Sequence, residues 1–256
     1  MHLYRKRQPG NGHPALSLAC RAQLVRRCEA LGIPPQGMAL TEAQLDGLAG
    51  YVELLQQWQR HLNLTGLRDV EQLIDVLILE SLDFLQGAFL SGPMRVLDLG
   101  TGAGVPGVPL AICQPQLEMT LLDRSQKKMI FVRRVISRLR LGHCRTEIDT
   151  AEGLSRRLLH ASHDMPDGRF DAIVSRGVGT VAHLLSLAGP LLRAGGVLLL
   201  RKPWHTPELE AAAPVLASGS WADVQIVPVH GHASGMVPWT LLAIAKQAPK
   251  PSQPIK

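Results

Sequence analysis

The sequence predicts an α/β fold: a doubly wound, mostly parallel, Rossmann-like sheet of seven strands, ending in an antiparallel hairpin and preceded by a helical extension. Three observations predict it. From Arg95 onward, short apolar runs alternate with helix-length segments, a pattern that requires parallel strands with helices on both faces. Glycines alternate through "DLGTGAG" directly after the first of these runs, which marks a strand-to-helix turn. The last two runs, Trp221 to His230 and Val237 to Lys246, are joined only by "GHASG". That link is too short for a crossover helix, so the pair is antiparallel.

Taken in order, residues 1–13 read as a loose basic leader and 14–92 as a helical segment. "TEAQLDGLAGYVELLQQWQRHLNL" opens with Thr41 and Gln44, a capping box, and carries Leu45, Leu48, Val52, Leu55, Trp58 and Leu62 on one stripe. Asp69 to Gln86 reads as a further helix. Residues 93–246 then hold the sheet. Its strands are "RVLDL", "LEMTLLD", "CRTEID", "FDAIVS", "GVLLLRK" and the closing pair. Helices are expected from Pro106, through "SQKKMIFVRRVISRLRL", from Ala151, from Thr180 to Arg193 and after Thr206. Residues 247–256 read as a disordered tail.

Composition sets the outer bounds. The 256 residues are 46% hydrophobic and 19% charged, enough for one substantial core with an appendage. No apolar run approaches the roughly 20 residues of a membrane span. The stretch Ala15 to Cys20 is too short for the apolar region of an export signal. Four cysteines show no CxxC pair and no metal-ligand spacing with the histidines, which suits reduced, buried thiols. A formal charge of +6 favours an anionic partner such as nucleic acid.

The glycine turn admits three readings: a methyl-donor site, a dinucleotide site, or a turn with no ligand. Gly102, Gly104 and Gly107 satisfy GxGxxG, and Asp123 follows at a suitable distance. A dinucleotide rests its pyrophosphate on the helix N-terminus, where a carboxylate at Asp98 is unwelcome. S-adenosylmethionine carries a sulfonium and an ammonium and no phosphate, so Asp98 suits it. Asp123 can then accept from ribose hydroxyls, and Gly100, Gly102 and Gly104 let the backbone approach. The closing hairpin, a feature of class I methyltransferase sheets, also favours the methyl donor. Ligands in such sheets bind beyond the carboxyl ends of the strands. Ala151 and Glu152 therefore border the expected adenine, unless Glu152 merely complements a helix dipole. Ser175 and Arg176 fall near the transfer point, unless Arg176 is a solvated loop cation.

Four stretches together, "WQRHLNLTGLRD", "LDLGTGAGVPGVPLAI", "TLLDRSQKKMIFVRRV" and "FDAIVSRG", resemble the RsmG (GidB) methyltransferases. The likeness runs from about Thr41 to Lys246, and prolines at both Pro106 and Pro109 are its most telling piece. It implies methylation of N7 of a guanosine in 16S ribosomal RNA, with donor contacts at Gly100, Val105, Ala151, Glu152 and Arg176. The chain departs from the family where Val76 and Leu77 replace an Arg-His pair and Glu80–Ser81 an Asp-Ser, and again where Lys202–Pro203 replaces Lys-Gly. The donor half is intact; the substrate half is altered.

Guanine N7 has a lone pair at neutral pH, so alignment alone can drive transfer and no general base is expected. Arg176 is expected to act by positioning, and to matter more for transfer than for folding. RNA contacts are expected from Arg60, Lys127, Arg134, Arg138 and Lys202, although the helical cations also read as a solvated face. No resident metal is expected. The partner is small-subunit ribosomal RNA, free or in an assembling subunit, met by a cytoplasmic monomer. Two alternatives are a methyltransferase on a small-molecule or protein acceptor, and a donor-binding RNA-associated protein without transfer activity.

Overall fold

The structure, a computed structural model, describes residues 14–31, 39–60, 62–160, 169–204, 207–229 and 239–248. The basic leader with Arg5, Lys6 and Arg7, most of the expected tail, and the "GHASG" link lie outside the described residues.

Two helices lead the chain, α1 (Pro14–Leu31) and α2 (Glu42–Trp58). The capping box opens α2: Gln44 N–H donates to Thr41 Oγ1 at 3.3 Å, and Thr41 N–H donates to Gln44 Oε1 at 2.8 Å. Leu48, Val52 and Leu55 of the expected stripe are fully buried, and Leu45, Trp58 and Leu62 are partly so.

The expected helix from Asp69 is not uniform. It begins as α3 (Val70–Gln72), widens into a π-helical turn over Leu73–Leu79, and returns through α4 (Glu80–Leu82) to a 3₁₀ segment, Asp83–Ala88. Apolar residues in "LIDVLIL" arrive too densely for a 3.6-residue stripe, and six of these seven are buried. Helical backbone ends before Gln86, whose ψ is 151°, and Gly87, whose φ is 75°.

The sheet follows: β1 (Met94–Leu99), α5 (Gly107–Cys113), β2 (Leu117–Leu122), α6 (Gln126–Leu139), β3 (Cys144–Glu147), α7 (Ala151–His160), β4 (Phe170–Ser175), α8 (Val181–Ala188) and β5 (Leu192–Pro203). Short helices α9 (Pro207–Ala211) and α10 (Ala213–Leu216) precede β6 (Trp221–Val229) and β7 (Trp239–Lys246). The helix expected to reach Arg193 stops at Ala188, because Pro190 offers no amide to continue it. β5 therefore starts earlier than expected.

Strand order is β3-β2-β1-β4-β5-β7-β6. β1 to β5 pair in parallel, and β7 lies antiparallel between β5 and β6. Alternate residues serve opposite faces: Val96 joins the core under α2, α5 and α6, while Leu97 joins the core under α7 and α8. The order reverses between β1 and β4, and Ser175 Oγ donates to Leu99 O at 2.9 Å across that point. Open α/β sheets hold their ligands in the crevice that such a reversal creates. No described helix is long and apolar enough to cross a membrane.

Candidate active site

A cavity of about 810 Å³ opens at the carboxyl ends of β1, β2 and β4. Gly100, Gly102 and Val105 of the glycine turn line it, with Asp123 after β2, Ala151 and Glu152 at the start of α7, and Arg176 after β4. The structure thus brings together residues far apart in sequence.

The turn is held from below. Gly100 and Thr101 amides donate to Leu122 O at 3.0 and 2.9 Å, and Gly102 N–H donates to Asp123 Oδ2 at 2.9 Å. Asp123 Oδ1 takes the Ser125 amide at 2.8 Å. Each carboxylate oxygen can accept again, so Asp123 can also take ribose hydroxyls. Gly102 has φ 57°, and a Cβ there would meet nothing nearer than 3.9 Å. Its outer side is cavity.

Asp98 and Gly104 require correction, because neither lines the cavity. Asp98 is fully buried, where its Oδ2 accepts from Thr101 Oγ1 at 2.6 Å and from Gly107 N–H at 2.8 Å. Burial pushes its carboxyl up to about 7; the Thr101 and Gly107 bonds and Arg176 oppose this, and Asp123 adds to it. The carboxylate braces the turn from beneath the cavity floor. Gly104 is needed for close packing: a Cβ would come 2.8 Å from Val108 and 3.2 Å from Tyr51 Oη. Tyr51, on α2, donates to Ala103 O at 2.8 Å.

Arg176 lines the cavity, as its place at the end of β4 led one to expect. It is not a solvated cation, since its side chain is only 13% exposed. Its Nη1 donates to Val76 O in the π-helical turn and lies 3.4 Å from Glu80. Burial lowers its pKa, Glu80 counters that, and Arg201 reinforces it. These contacts give Arg176 a structural tie to the π-helical turn beside its place in the cavity wall. Glu152 is exposed, and its carboxyl is held low by its own amide and the Thr150 hydroxyl. It serves the start of α7 while facing the cavity.

A smaller cavity of about 340 Å³ adjoins the first, lined by Arg60, Asn63, Ser125, Lys127 and Lys128. Lys128, which sequence reasoning passed over, lines both cavities. Its signal was its place three residues past the Ser125 cap. Arg134 and Arg138 lie along α6, roughly 10 and 16 Å beyond Lys127 at 1.5 Å per residue, and line neither cavity. Lys202 is engaged structurally, with Nζ 2.9 Å from Gly179 O and 2.7 Å from Glu208. Thr65 accepts from the Leu67 amide and also lines the main cavity.

All four cysteines are unbridged, and burial raises every one of their pKa values. Among the described residues no group of three or more His, Cys, Asp or Glu side chains could hold a metal ion.

The family model described as GidB, rRNA small subunit methyltransferase G, matches residues 44–235. The chain belongs to this family. A Deinococcus radiodurans protein named ribosomal RNA small subunit methyltransferase G is 35% identical over 244 residues, covering 93% of this chain and 90% of the relative. One of the same name from Xanthomonas euvesicatoria is 37% identical, covering 76% of this chain and 84% of its own. In this GidB-family chain the matched span contains the whole glycine turn, the π-helical turn and every described cavity residue.

Proposed function

We propose that this chain transfers a methyl group from S-adenosylmethionine to N7 of a guanosine in small-subunit ribosomal RNA. The family match over residues 44–235 carries the reading. The site fits the donor: Asp98 occupies the Gly107 amide, where a pyrophosphate would need to rest. Asp123, Ala151 and Glu152 offer polar and small contacts along the same wall.

The donor supplies an electrophilic methyl group on a sulfonium. The chain's own residues bind and orient. Gly100 and Gly102 bring backbone close to the ligand, Asp123 takes ribose hydroxyls, and Arg176 sets the geometry at the transfer edge. Leu64, Leu77 and Val178 line the same cavity and would shield the acceptor base from water. N7 needs no proton removed, so no side chain must act as a base. Arg60, Lys127 and Lys128 lie beside the mouth, where they suit RNA phosphates. The chain would act in the cytoplasm, as a monomer, on free RNA or an assembling subunit.

Borohydride reduction and aniline cleavage of small-subunit RNA report N7-methylguanosine directly. Cells lacking this protein should lose one cleavage site and regain it on complementation. If every site persists in the deletion strain, the acceptor is something else. Calorimetry should show S-adenosylmethionine binding that weakens sharply in Gly102→Val; tighter binding of NAD would overturn the donor.

A further inference from the structure

Behind Arg176 lies a buried ionic chain that the transfer reaction itself does not require. Glu80 meets two guanidinium groups, Arg176 at 3.4 Å and Arg201 at 3.1 Å. Arg201 is 1% exposed, bonds Asp83 at 2.7 Å and sits 4.2 Å over the Trp239 ring. It is anchored on three sides, so it cannot follow the ligand. Arg176 alone of the two lines the cavity.

We propose that Glu80 is a positioning residue, which holds Arg176 in its working pose against the fixed Arg201; this rests on the donor site proposed above. The π-helical turn supplies the second restraint. It aims Val76 O at Arg176, and the Glu80 amide closes the turn on Asp75 O. With Glu80 neutral, two poorly hydrated guanidinium groups face each other and repel, and Arg176 is the one able to move. Arg176 therefore gains its orientation from residues about a hundred positions earlier in the chain.

A double-mutant cycle on the full chain tests this, read as methyl transfer to small-subunit RNA at saturating substrates and as S-adenosylmethionine affinity by calorimetry. Glu80→Gln should lower transfer at least tenfold and donor affinity about fivefold. In an Arg176→Ala background the same change should alter each by less than twofold. Glu80→Asp, which keeps the charge but withdraws it, should fall between and show the same dependence on Arg176. Arg27→Ala breaks the pair with Asp75 on the same turn and should lower the melting temperature while leaving transfer intact. Equal losses in both backgrounds, or transfer within twofold of wild type in Glu80→Gln, would overturn the proposal. If the native chain binds donor but methylates no RNA, the acceptor reading fails, and the affinity arm still decides the role of Glu80.

Discussion

Asp98 has no exposed surface, and its Oδ1 has no hydrogen-bond partner among the described residues. An unfolded aspartate releases its proton near pH 3.9, whereas the native carboxyl is pushed up to about 7. The native state thus binds more protons between those values, and stability falls as pH rises through the window, by about 4 kcal/mol at most. Asp98→Asn keeps an acceptor for Thr101 and Gly107 but cannot ionise. Its melting temperature relative to wild type should climb from about pH 4 to about pH 7 and level off above that; a constant difference would refute the buried-carboxyl account. The glycines of the turn separate by the same local reasoning. At Gly107 a Cβ would lie 2.3 Å from Leu121 Cδ2 and 2.6 Å from Asp98 Oδ2. Gly107→Ala should cost about 1–3 kcal/mol by overpacking. Gly102→Ala meets no neighbour and should cost only the strain of its positive φ, about 1–2 kcal/mol. Urea denaturation of the two variants gives the comparison.

The start of α6 and the π-helical turn bring different chemistry to the cavity. Lys127 and Lys128 follow the Ser125 cap, while Arg138 belongs to the last turn. If phosphates dock at the mouth, Lys127→Ala and Lys128→Ala should each weaken RNA binding and reduce the slope of log affinity against log salt by just under one. Arg138→Ala should leave that slope nearly unchanged. Equal effects at both ends of α6 would instead assign the whole face to a diffuse field. The π-helical turn changes the expectation for Arg176. Arg176→Ala should lower stability by about 1–3 kcal/mol as well as transfer, since it removes a buried charged hydrogen bond. The loss stays moderate because Glu80 keeps Arg201. Thermal melting alongside single-turnover transfer separates the two effects.

At the scale of the molecule, strand alternation, the closing hairpin and the glycine turn were legible because each is built from short local runs with turn residues between them. Asp123, Ala151, Glu152 and Arg176 could be assigned to the cavity because strand ends in such sheets share one edge. The Glu80–Arg201–Asp83 chain was not legible, since its partners are 118 or more positions apart. Nothing local marks a buried arginine on a strand. Asp98 was located correctly and given the wrong partner: its place after an apolar run is a sequence property, but the Gly107 amide it meets depends on how the turn closes. Lys202 and Glu208 are close in sequence, yet only the return of α9 over the end of β5 reveals that they meet. The π-helical turn was invisible for another reason, because a dense apolar run marks a buried helix without fixing its hydrogen-bond register.

The hydroxyl of Tyr51 on Ala103 O joins the second helix of the extension to the floor of the donor turn. We expect a ligand that stiffens the turn to stiffen α2 through this bond, and by thermodynamic reciprocity any such coupling would let docked α2 raise ligand affinity by the same factor. Amide hydrogens of α2 should exchange more slowly once donor is bound, and Tyr51→Phe should uncouple the two while leaving the helix in place. Exchange rates in α2 that ignore the donor would sever that link.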